Sequence, residues 1–539
     1  MKRYIYCMAI FAMMLLAVAC DNTSISSGDM AKVQDVQLDA IQSSQQIPNE
    51  SSPAKKAGAT NNNDSAFNTE EYDHIIENKF LSVMQQPLST FSIDVDRASY
   101  TNVRRFIESG SLPPKGAVRI EEMINYFDYN YQPPTNEEPF AVYTEIASCP
   151  WNAKHKLVQI GLQGKKISTD SLPKSNLVFL VDVSGSMAEP NKLPLVQQSL
   201  NLLTDQLRED DNVAIVVYAG SAGLVLPSTP GSEKKKIKEA IDALNADGST
   251  AGGEGIKLAY KIAEENKKPR GNNRVVLATD GDFNVGASSD DELVELIEKE
   301  RQRGIFLSVL GFGMGNYKDN KMQQLADKGN GNHNYIDNLN EAKKVLVNEF
   351  GGTIFTIAKD VKLQIEFNPS LVNVYRLIGY ENRMLANEDF NDDKKDAGEL
   401  GAGHTVTALY EIIPAGINDT LIGKVDDLKY QRKKEVSYNG NELMNIKLRY
   451  KEPESETSKL IIYPVADINR TWEQASGNFK LSAAVAEFGL LLRGSSYKQN
   501  SSFEQTLEIA NDAAQHDDHG YRSEFLKLIK EAQLLENNN

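Results

Sequence analysis

Four strongly apolar runs, separated by amphipathic segments, do most to constrain how this chain can fold. They are "LVFLVDV", "NVAIVVYAG", "RVVLATDG" and "GIFLSVLGFG", which begin at Leu177, Asn212, Arg274 and Gly304. Runs of this kind are typical of strands that are buried on both faces, as in a parallel sheet. The segments between them, such as "LPLVQQSLNLLTDQL" and "GEGIKLAYKIAEEN", have the spacing of amphipathic helices. Strands that alternate with helices predict an α/β domain with a doubly wound, mainly parallel sheet.

The segments on either side of this α/β domain have different patterns. "FAVYTEIASCPW" and "HKLVQIGLQGKKI" before it alternate like antiparallel strands, and the chain after residue 355 is again rich in such runs. From about residue 471 the pattern is helical, with a first helix that is too short to span a bilayer. The chain has 539 residues, which is long for one domain. We predict a signal peptide (1–19), a disordered tether (20–68), an N-terminal α+β region (69–170), the α/β domain (171–352), a β-rich region (353–468) and a C-terminal helical region (469–539).

The first residues have the pattern of a targeting signal. Lys2 and Arg3 precede an apolar run that ends at Ala19, and Cys20 follows. "LLAVAC" resembles a bacterial lipobox, which implies cleavage before Cys20 and lipidation of its side chain; an ordinary signal peptide cut near the same place is the alternative. We therefore expect a lipid anchor in a membrane of the bacterial cell envelope. Only Cys149 would remain in the mature protein, so no intrachain disulfide can form.

The charge of the chain limits the classes of partner. Its formal net charge is -17 at pH 7, which argues against nucleic-acid binding because that function requires a basic face. The same charge favours solubility and cationic partners, including metal ions.

Oxygen-bearing residues follow the first apolar run at every second position: Asp182, Ser184 and Ser186. Residues two apart in an extended segment point the same way, so these three oxygens can face one space beyond the carboxyl end of the strand. Ligands bind at that edge of open α/β sheets. Hydroxyl and carboxylate oxygens suit Mg²⁺, Mn²⁺ or Ca²⁺. Taken alone, the pattern also fits a turn that caps a helix, or a hydrolase nucleophile, which would need a nearby base.

Two later motifs favour the metal site. "DGSTAGGEG" places Thr250 in a glycine-rich loop before a helix, and "VVLATDGDFN" places Asp280 at the end of another buried strand, with Asp282 as a rival. Asp-x-Ser-x-Ser, then Thr, then Thr-Asp-Gly, in that order on one α/β domain, resembles the von Willebrand factor type A (VWA) domain. The five positions match the metal-ion-dependent adhesion site of that family.

The VWA resemblance implies a role for each of the five residues. Ser184 and Ser186 would bind the ion directly, and Thr250 would do so when a ligand is engaged. Asp182 and Asp280 would act mainly through water molecules. Few direct carboxylates leave the charge of the ion under-neutralised, so an open position would attract a carboxylate from a protein partner.

The flanking segments resemble a particular group of VWA proteins. "FSIDVDRASYTNVRRFI" and "VRIEEMINYF" lie before the α/β domain, and "YPVADINRTW" and "FKLSAAVAEFGLLLRGS" lie after it. Together they resemble the bacterial YfbK-type VWA lipoproteins from about residue 75 to residue 535. The resemblance implies architecture more than it implies a role.

We expect a non-enzymatic binding protein that is anchored to the envelope and uses Mg²⁺ (or Mn²⁺ or Ca²⁺) to engage an acidic residue of another protein. One alternative is a metal-dependent hydrolase that uses the ion to activate water, and another is an envelope scaffold whose metal site is not functional. Two other motifs do not indicate a catalytic site or a second metal site. Asp94 and Asp96 in "DVDRAS" resemble a phosphatase nucleophile pair but fit a strand end followed by a helix better. His516 and His519 lack the further ligands of a zinc site.

Overall fold

Strands and helices alternate in the middle of the chain, whereas the last third has strands first and helices after them. The computed structural model describes residues 69–168, 172–247, 252–281, 283, 290–349, 355–423, 440–515 and 517–538, all within one structural unit of residues 65–539. The predicted signal peptide, tether and Cys20 lie outside these ranges. The strands are β1 (Leu81–Ser82), β2 (Leu88–Ser92), β3 (Phe140–Cys149), β4 (Asn152–Gly164), β5 (Ser175–Asp182), β6 (Asn212–Tyr218), β7 (Ala222–Pro230), β8 (Asn272–Thr279), β9 (Ile305–Phe312), β10 (His333–Ile336), β11 (Thr356–Phe367), β12 (Val372–Ile378), β13 (Gly398–Gly401), β14 (Thr405–Pro414), β15 (Glu442–Lys451) and β16 (Ser458–Ala466).

Three of the described α-helices begin at a residue whose side chain caps the helix, namely Asn338, Ser476 and Ser502. For example, the Ser476 hydroxyl accepts a hydrogen bond from the Phe479 amide at the start of one long C-terminal helix, and Gly494 ends it with φ of 60°. The helices are α1 (Ala98–Glu108), α2 (Ile120–Ile124), α3 (Leu193–Gln206), α4 (Lys234–Asp242), α5 (Gly252–Glu265), α6 (Asp290–Gln302), α7 (Asp319–Lys328), α8 (Leu339–Lys343), α9 (Gly477–Arg493), α10 (Phe503–Ala513) and α11 (Tyr521–Asn537). None of the described helices is long and apolar enough to cross a bilayer.

The four apolar runs form the centre of a six-stranded sheet, which confirms the predicted fold class. The strand order is β10-β9-β8-β5-β6-β7, and every neighbouring pair is parallel except β6 and the antiparallel edge strand β7. Alternate residues of β5 enter different cores: Phe179 packs into the core on one face, and Val178 and Leu180 pack into the core on the other. This two-sided burial explains why apolar residues do not simply alternate with polar ones in these runs. The short strand β10 and the edge strand β7 were not predicted.

Strands from both sides of the α/β domain pair with one another in two further sheets. One sheet has the order β1-β12-β14-β4-β3, and the other has the order β13-β11-β15-β16 with β2 also paired to β11. Phe91 of β2 lies opposite Leu363 of β11, and Gln159 of β4 lies opposite Leu409 of β14. The two sheets share one apolar core. The α/β domain is therefore inserted between β4 and β11 of a single β module, a connection that the sequence patterns did not reveal.

The C-terminal helices pack against the two N-terminal helices. Their shared core includes Tyr100, Phe127, Phe479, Phe488 and Phe525. Aromatic rings meet edge to face within it, as do Phe488 and Phe525 with ring centroids 5.4 Å apart. The free thiol of Cys149 is buried in the same core. Within the described residues, the first two helices and the C-terminal helices therefore share one apolar core.

The Asp-x-Asp segment between β2 and α1 forms structural contacts. Asp96 accepts a hydrogen bond from the His333 amide at 2.8 Å, and Arg383 pairs with Asp94 at 3.1 Å and with Asp96 at 3.2 Å. These contacts join the N-terminal segment to the α/β domain and to the β module. The segment thus behaves as the strand end and helix start that its sequence favours, although β2 already ends at Ser92. Of the two histidines weighed as zinc ligands, His516 lies outside the described residues and His519 is exposed.

Candidate metal site at the ends of β5 and β8

The candidate site lies where two neighbouring parallel strands of the six-stranded sheet end. Strand β5 ends at Asp182, and Asp280 directly follows β8. The two strands are paired, with Val181 opposite Ala278, so their carboxyl ends meet at one edge of the sheet. Both aspartate side chains are fully buried. The structure therefore brings together two carboxylates that lie almost 100 residues apart along the chain.

Asp182 accepts hydrogen bonds on both of its carboxylate oxygens. Its Oδ1 atom accepts a hydrogen bond from the Ser184 amide at 2.9 Å. Its Oδ2 atom accepts from the Tyr218 hydroxyl at 3.0 Å and from the Thr279 hydroxyl at 3.3 Å. Burial raises the pKa of Asp182 to about 6. Tyr218 at the end of β6 was not among the predicted residues, although its place at a strand end was visible in the apolar run "NVAIVVYAG".

The two serines connect the aspartates. Ser184 lies directly before a short turn of 3-10 helix (Gly185–Ala188), and its Oγ atom is 3.0 Å from the Oγ atom of Ser186. A hydrogen bond from the Ser186 hydroxyl in turn helps to lower the pKa of Asp280. Ser184 is buried, whereas Ser186 is exposed, so the group opens to solvent on one side.

Asp280 has two partners that the sequence did not predict. Its Oδ2 atom accepts hydrogen bonds from Lys192 Nζ at 2.9 Å and from Asn316 Nδ2 at 3.0 Å. Burial alone would raise the pKa of Asp280, but the hydrogen bonds from Asn316 and Lys192 and the charge of Lys192 outweigh burial and lower it. Lys192 lies one residue before α3 and Asn316 lies in the loop between β9 and α7, so neither stands in a motif that marks it.

Two residues that the sequence indicated as possible metal ligands, Thr250 and Asp282, are not among the described residues. The structure thus assembles four of the five predicted positions: Asp182, Ser184, Ser186 and Asp280. The Asp182–Ser184 hydrogen bond fits a simple turn as well as a metal site. A turn does not explain why Asp280, which follows a different strand, lies at the same edge of the sheet.

The donor atoms of this group are those that a hard divalent cation requires. They are two carboxylates and two hydroxyls, with no thiol or imidazole, which fits Mg²⁺ or Mn²⁺. In the described parts of the chain, no three His, Cys, Asp or Glu side chains converge as a metal-binding group. A cation at this edge would therefore depend on the serine hydroxyls. Among the described histidines, none forms a hydrogen bond with Ser184 or Ser186, so a base for a serine nucleophile is not found there.

Three models of protein families together match almost the whole described chain. The family model of the von Willebrand factor type A domain matches residues 176–348, which includes the candidate site. A model described as "von Willebrand factor" matches residues 66–159, and one described as "Uncharacterized protein YfbK, C-terminal" matches residues 352–535.

Individual relatives agree with these families. The chain is 45% identical to YfbK of Escherichia coli (strain K12) over 471 residues, which is 86% of this chain and 81% of that protein. It is 25% identical to the human inter-alpha-trypsin inhibitor heavy chain H3 over 257 residues, which is 45% of this chain and 28% of that protein.

Solved structures give more distant similarities. A von Willebrand factor type A protein from Catenulispora acidiphila is 16% identical, with a TM-score of 0.39, and the match covers 74% of this chain and 91% of that one. BatB from Bacteroides thetaiotaomicron is 23% identical, with a TM-score of 0.29, over 33% of this chain and 97% of that one.

Proposed function

The chain belongs to the YfbK family of proteins with a VWA domain, and on that premise we propose that it is a metal-dependent protein-binding protein of the bacterial cell envelope. Domains of the VWA family often mediate protein interactions. The α/β domain would hold a divalent cation, Mg²⁺ or Mn²⁺, and would engage an acidic side chain of a protein partner. This role is a binding role and requires no chemical turnover.

The observation that carries this proposal is the meeting of the Asp182 and Asp280 carboxylates with the Ser184 and Ser186 hydroxyls at one edge of the sheet. Hydroxyl ligands contribute no negative charge, so they would leave a divalent cation only partly neutralised. A bound cation would then supply positive charge for a carboxylate oxygen of the partner. The exposed side of the group, at Ser186, gives such a ligand access.

Each side chain would have a defined role in such a site. Ser184 and Ser186 would contact the cation, and Thr250 would join them when a ligand is engaged. Asp182 and Asp280 would orient water molecules around it. Tyr218 and Thr279 hold the Asp182 carboxylate through its Oδ2 atom, so that carboxylate is oriented before a cation arrives.

The anchor is a separate part of the proposal. Lipidation of Cys20 would fix the mature chain to a membrane of the envelope, and the polar residues that follow would form the tether. Cys20→Ser expressed in a bacterial host should move the protein from the membrane fraction to the aqueous fraction. A variant that stays in the membrane fraction would contradict the lipid anchor.

The binding role can be tested by partner capture from solubilised envelope membranes. The immobilised chain should retain a protein in Mg²⁺ and release it when a chelator is added. Asp182→Ala should abolish retention, whereas Asp210→Ala should not, because Asp210 is an exposed aspartate of the same domain that pairs with Lys174. Capture that is indifferent both to the chelator and to Asp182→Ala would overturn the metal-dependent mechanism.

A further inference from the structure

A lysine ammonium group lies inside the candidate metal site. Lys192 Nζ is 2.9 Å from Asp280 Oδ2, and only 5% of the Lys192 surface is exposed. Lysine is almost never buried to this extent unless it is paired, and here its partner is one of the proposed metal-site residues. A fixed positive charge is unexpected at a place that would attract a cation, so it calls for an explanation.

The position of this lysine is built into the fold. A Cβ atom added at Gly313 would come within 2.4 Å of Lys192 Cε and within 2.6 Å of Lys192 Cγ. Gly313 also has φ of +75°, a conformation that favours glycine. The aliphatic part of the Lys192 side chain therefore packs against the backbone of Gly313, directly after β9. Because Gly313 has no side chain, Lys192 can extend past it to Asp280.

The charges of the site show what this lysine does. Three charged side chains belong to the described part of the site: the carboxylates of Asp182 and Asp280 and the ammonium of Lys192. A divalent cation with the two carboxylates alone would form a neutral group. With the ammonium group present, the occupied site has one net positive charge.

We propose that Lys192 sets the ligand preference of the site: its charge weakens the hold on the cation and makes the occupied site select an anionic group over a neutral one. This inference rests on the proposed function and names the chemistry that it would recognise, a carboxylate. The same ammonium group pairs with the buried Asp280 carboxylate. Because the ammonium group opposes the cation, an anionic ligand that joins the occupied site would strengthen the binding of the cation.

A purely structural lysine would behave differently from a lysine that sets ligand preference. If Lys192 only held Asp280 in place, its neutral replacement would loosen the site and weaken cation binding. If its charge opposes the cation, the neutral replacement would bind the cation more tightly, because like charges repel strongly where water is excluded. The direction of the change in affinity therefore separates the two roles.

The test uses the full chain and the Mn²⁺ ion, with free Mn²⁺ measured by electron paramagnetic resonance in chloride buffer and in acetate buffer. Lys192→Gln keeps a hydrogen-bond donor and removes the charge, and Lys192→Arg keeps the charge. Lys174→Gln is the matched control, because Lys174 forms an exposed ion pair with Asp210 on the same domain. Circular dichroism checks that each variant folds, and Lys192→Met is a second neutral variant in case the amide is not accommodated.

We expect Lys192→Gln to bind Mn²⁺ about tenfold more tightly than the wild type in chloride buffer. Acetate should tighten Mn²⁺ binding by the wild type, Lys192→Arg and Lys174→Gln, and should have less effect on Lys192→Gln. If the wild type binds Mn²⁺ and a folded neutral variant binds it equally well or more weakly, this inference is overturned. That result would leave the proposed function standing. Absence of Mn²⁺ binding by both proteins would overturn the proposed function and this inference with it.

Discussion

Arg104 donates a hydrogen bond to each carboxylate oxygen of Asp337, from Nη2 to Oδ1 at 2.6 Å and from Nε to Oδ2 at 2.8 Å. Arg104 lies in α1, and Asp337 directly follows β10 of the six-stranded sheet. The same guanidinium group also reaches Glu341 at 2.9 Å and Glu524 of the last helix at 2.8 Å. One buried arginine thus joins the N-terminal helix, the α/β domain and the C-terminal helix.

We predict that Arg104→Met lowers the free energy of unfolding by about 3 to 5 kcal/mol, because it leaves buried carboxylates without a compensating charge. Lys261→Met is the control, since Lys261 pairs with Glu265 at the surface, with 70% and 54% of the two side chains exposed. Urea unfolding followed by circular dichroism measures both variants. Equal losses in the two would show that the buried pair contributes no more than a surface pair.

Ser184→Ala and Ser186→Ala should each remove most of the thermal stabilisation that Mg²⁺ confers on the wild type. A cation that binds only the folded chain raises the melting temperature, and a saturating concentration is expected to raise it by a few degrees. Ser228→Ala on the edge strand β7 should leave that rise unchanged. Differential scanning calorimetry with Mg²⁺ and with a chelator gives the comparison. If the alanine variants keep the full rise, the serines are not ligands of the cation.

Gly313→Ala should destabilise the protein more than Gly315→Ala does. Both glycines have positive φ, at +75° and +92°, so both substitutions strain the backbone. Only the Cβ atom at position 313 meets Lys192, because nothing lies within 4 Å of the Cβ position at 315. We expect Gly313→Ala to lower the free energy of unfolding by about 1 to 3 kcal/mol more than Gly315→Ala does, measured by denaturant unfolding with a chelator present. The absence of an excess would mean that Lys192 can leave its position at little cost.

Glu487→Gln should change how stability depends on pH. Glu487 is fully buried in α9, and burial raises its pKa from 4.5 to about 7. A carboxyl group whose pKa is raised by folding contributes stability below the unfolded pKa of 4.5, and that stability is lost as pH rises through about 7.

The wild type should therefore lose up to about 3 kcal/mol between pH 4.5 and pH 8 through this group. Glu487→Gln should not show this loss, so its stability relative to the wild type should improve as pH rises. Exposed Glu295→Gln in α6 is the control and should follow the wild type. Urea unfolding at pH 5 and pH 8 tests the prediction, and a parallel pH dependence of wild type and Glu487→Gln would contradict it.

Local sequence determined the central sheet and most of the candidate site. The runs that start at Leu177 and Arg274 contain unbroken apolar stretches, at residues 177–181 and 275–278, because both faces of their strands are covered, and this signal is visible without knowing the partners. The parallel arrangement then places the residues that follow each strand at one edge. That Asp182 and Asp280 share one site could be predicted from the order of these motifs together with their resemblance to the VWA domain.

Tertiary structure decided the contacts that no local pattern encodes. Phe91 lies opposite Leu363 although the whole inserted domain separates them along the chain. The sequence of either strand is compatible with many partner strands. Lys192 reaches Asp280 because Gly313, from a third segment, leaves room for its side chain. Hydrophobic periodicity depends on the burial of each residue within its own strand or helix, so it reveals elements and their exposed or buried faces. Which distant segments meet depends on the packing of the whole chain, and in this protein that packing decided both the β module and the charge of the candidate metal site.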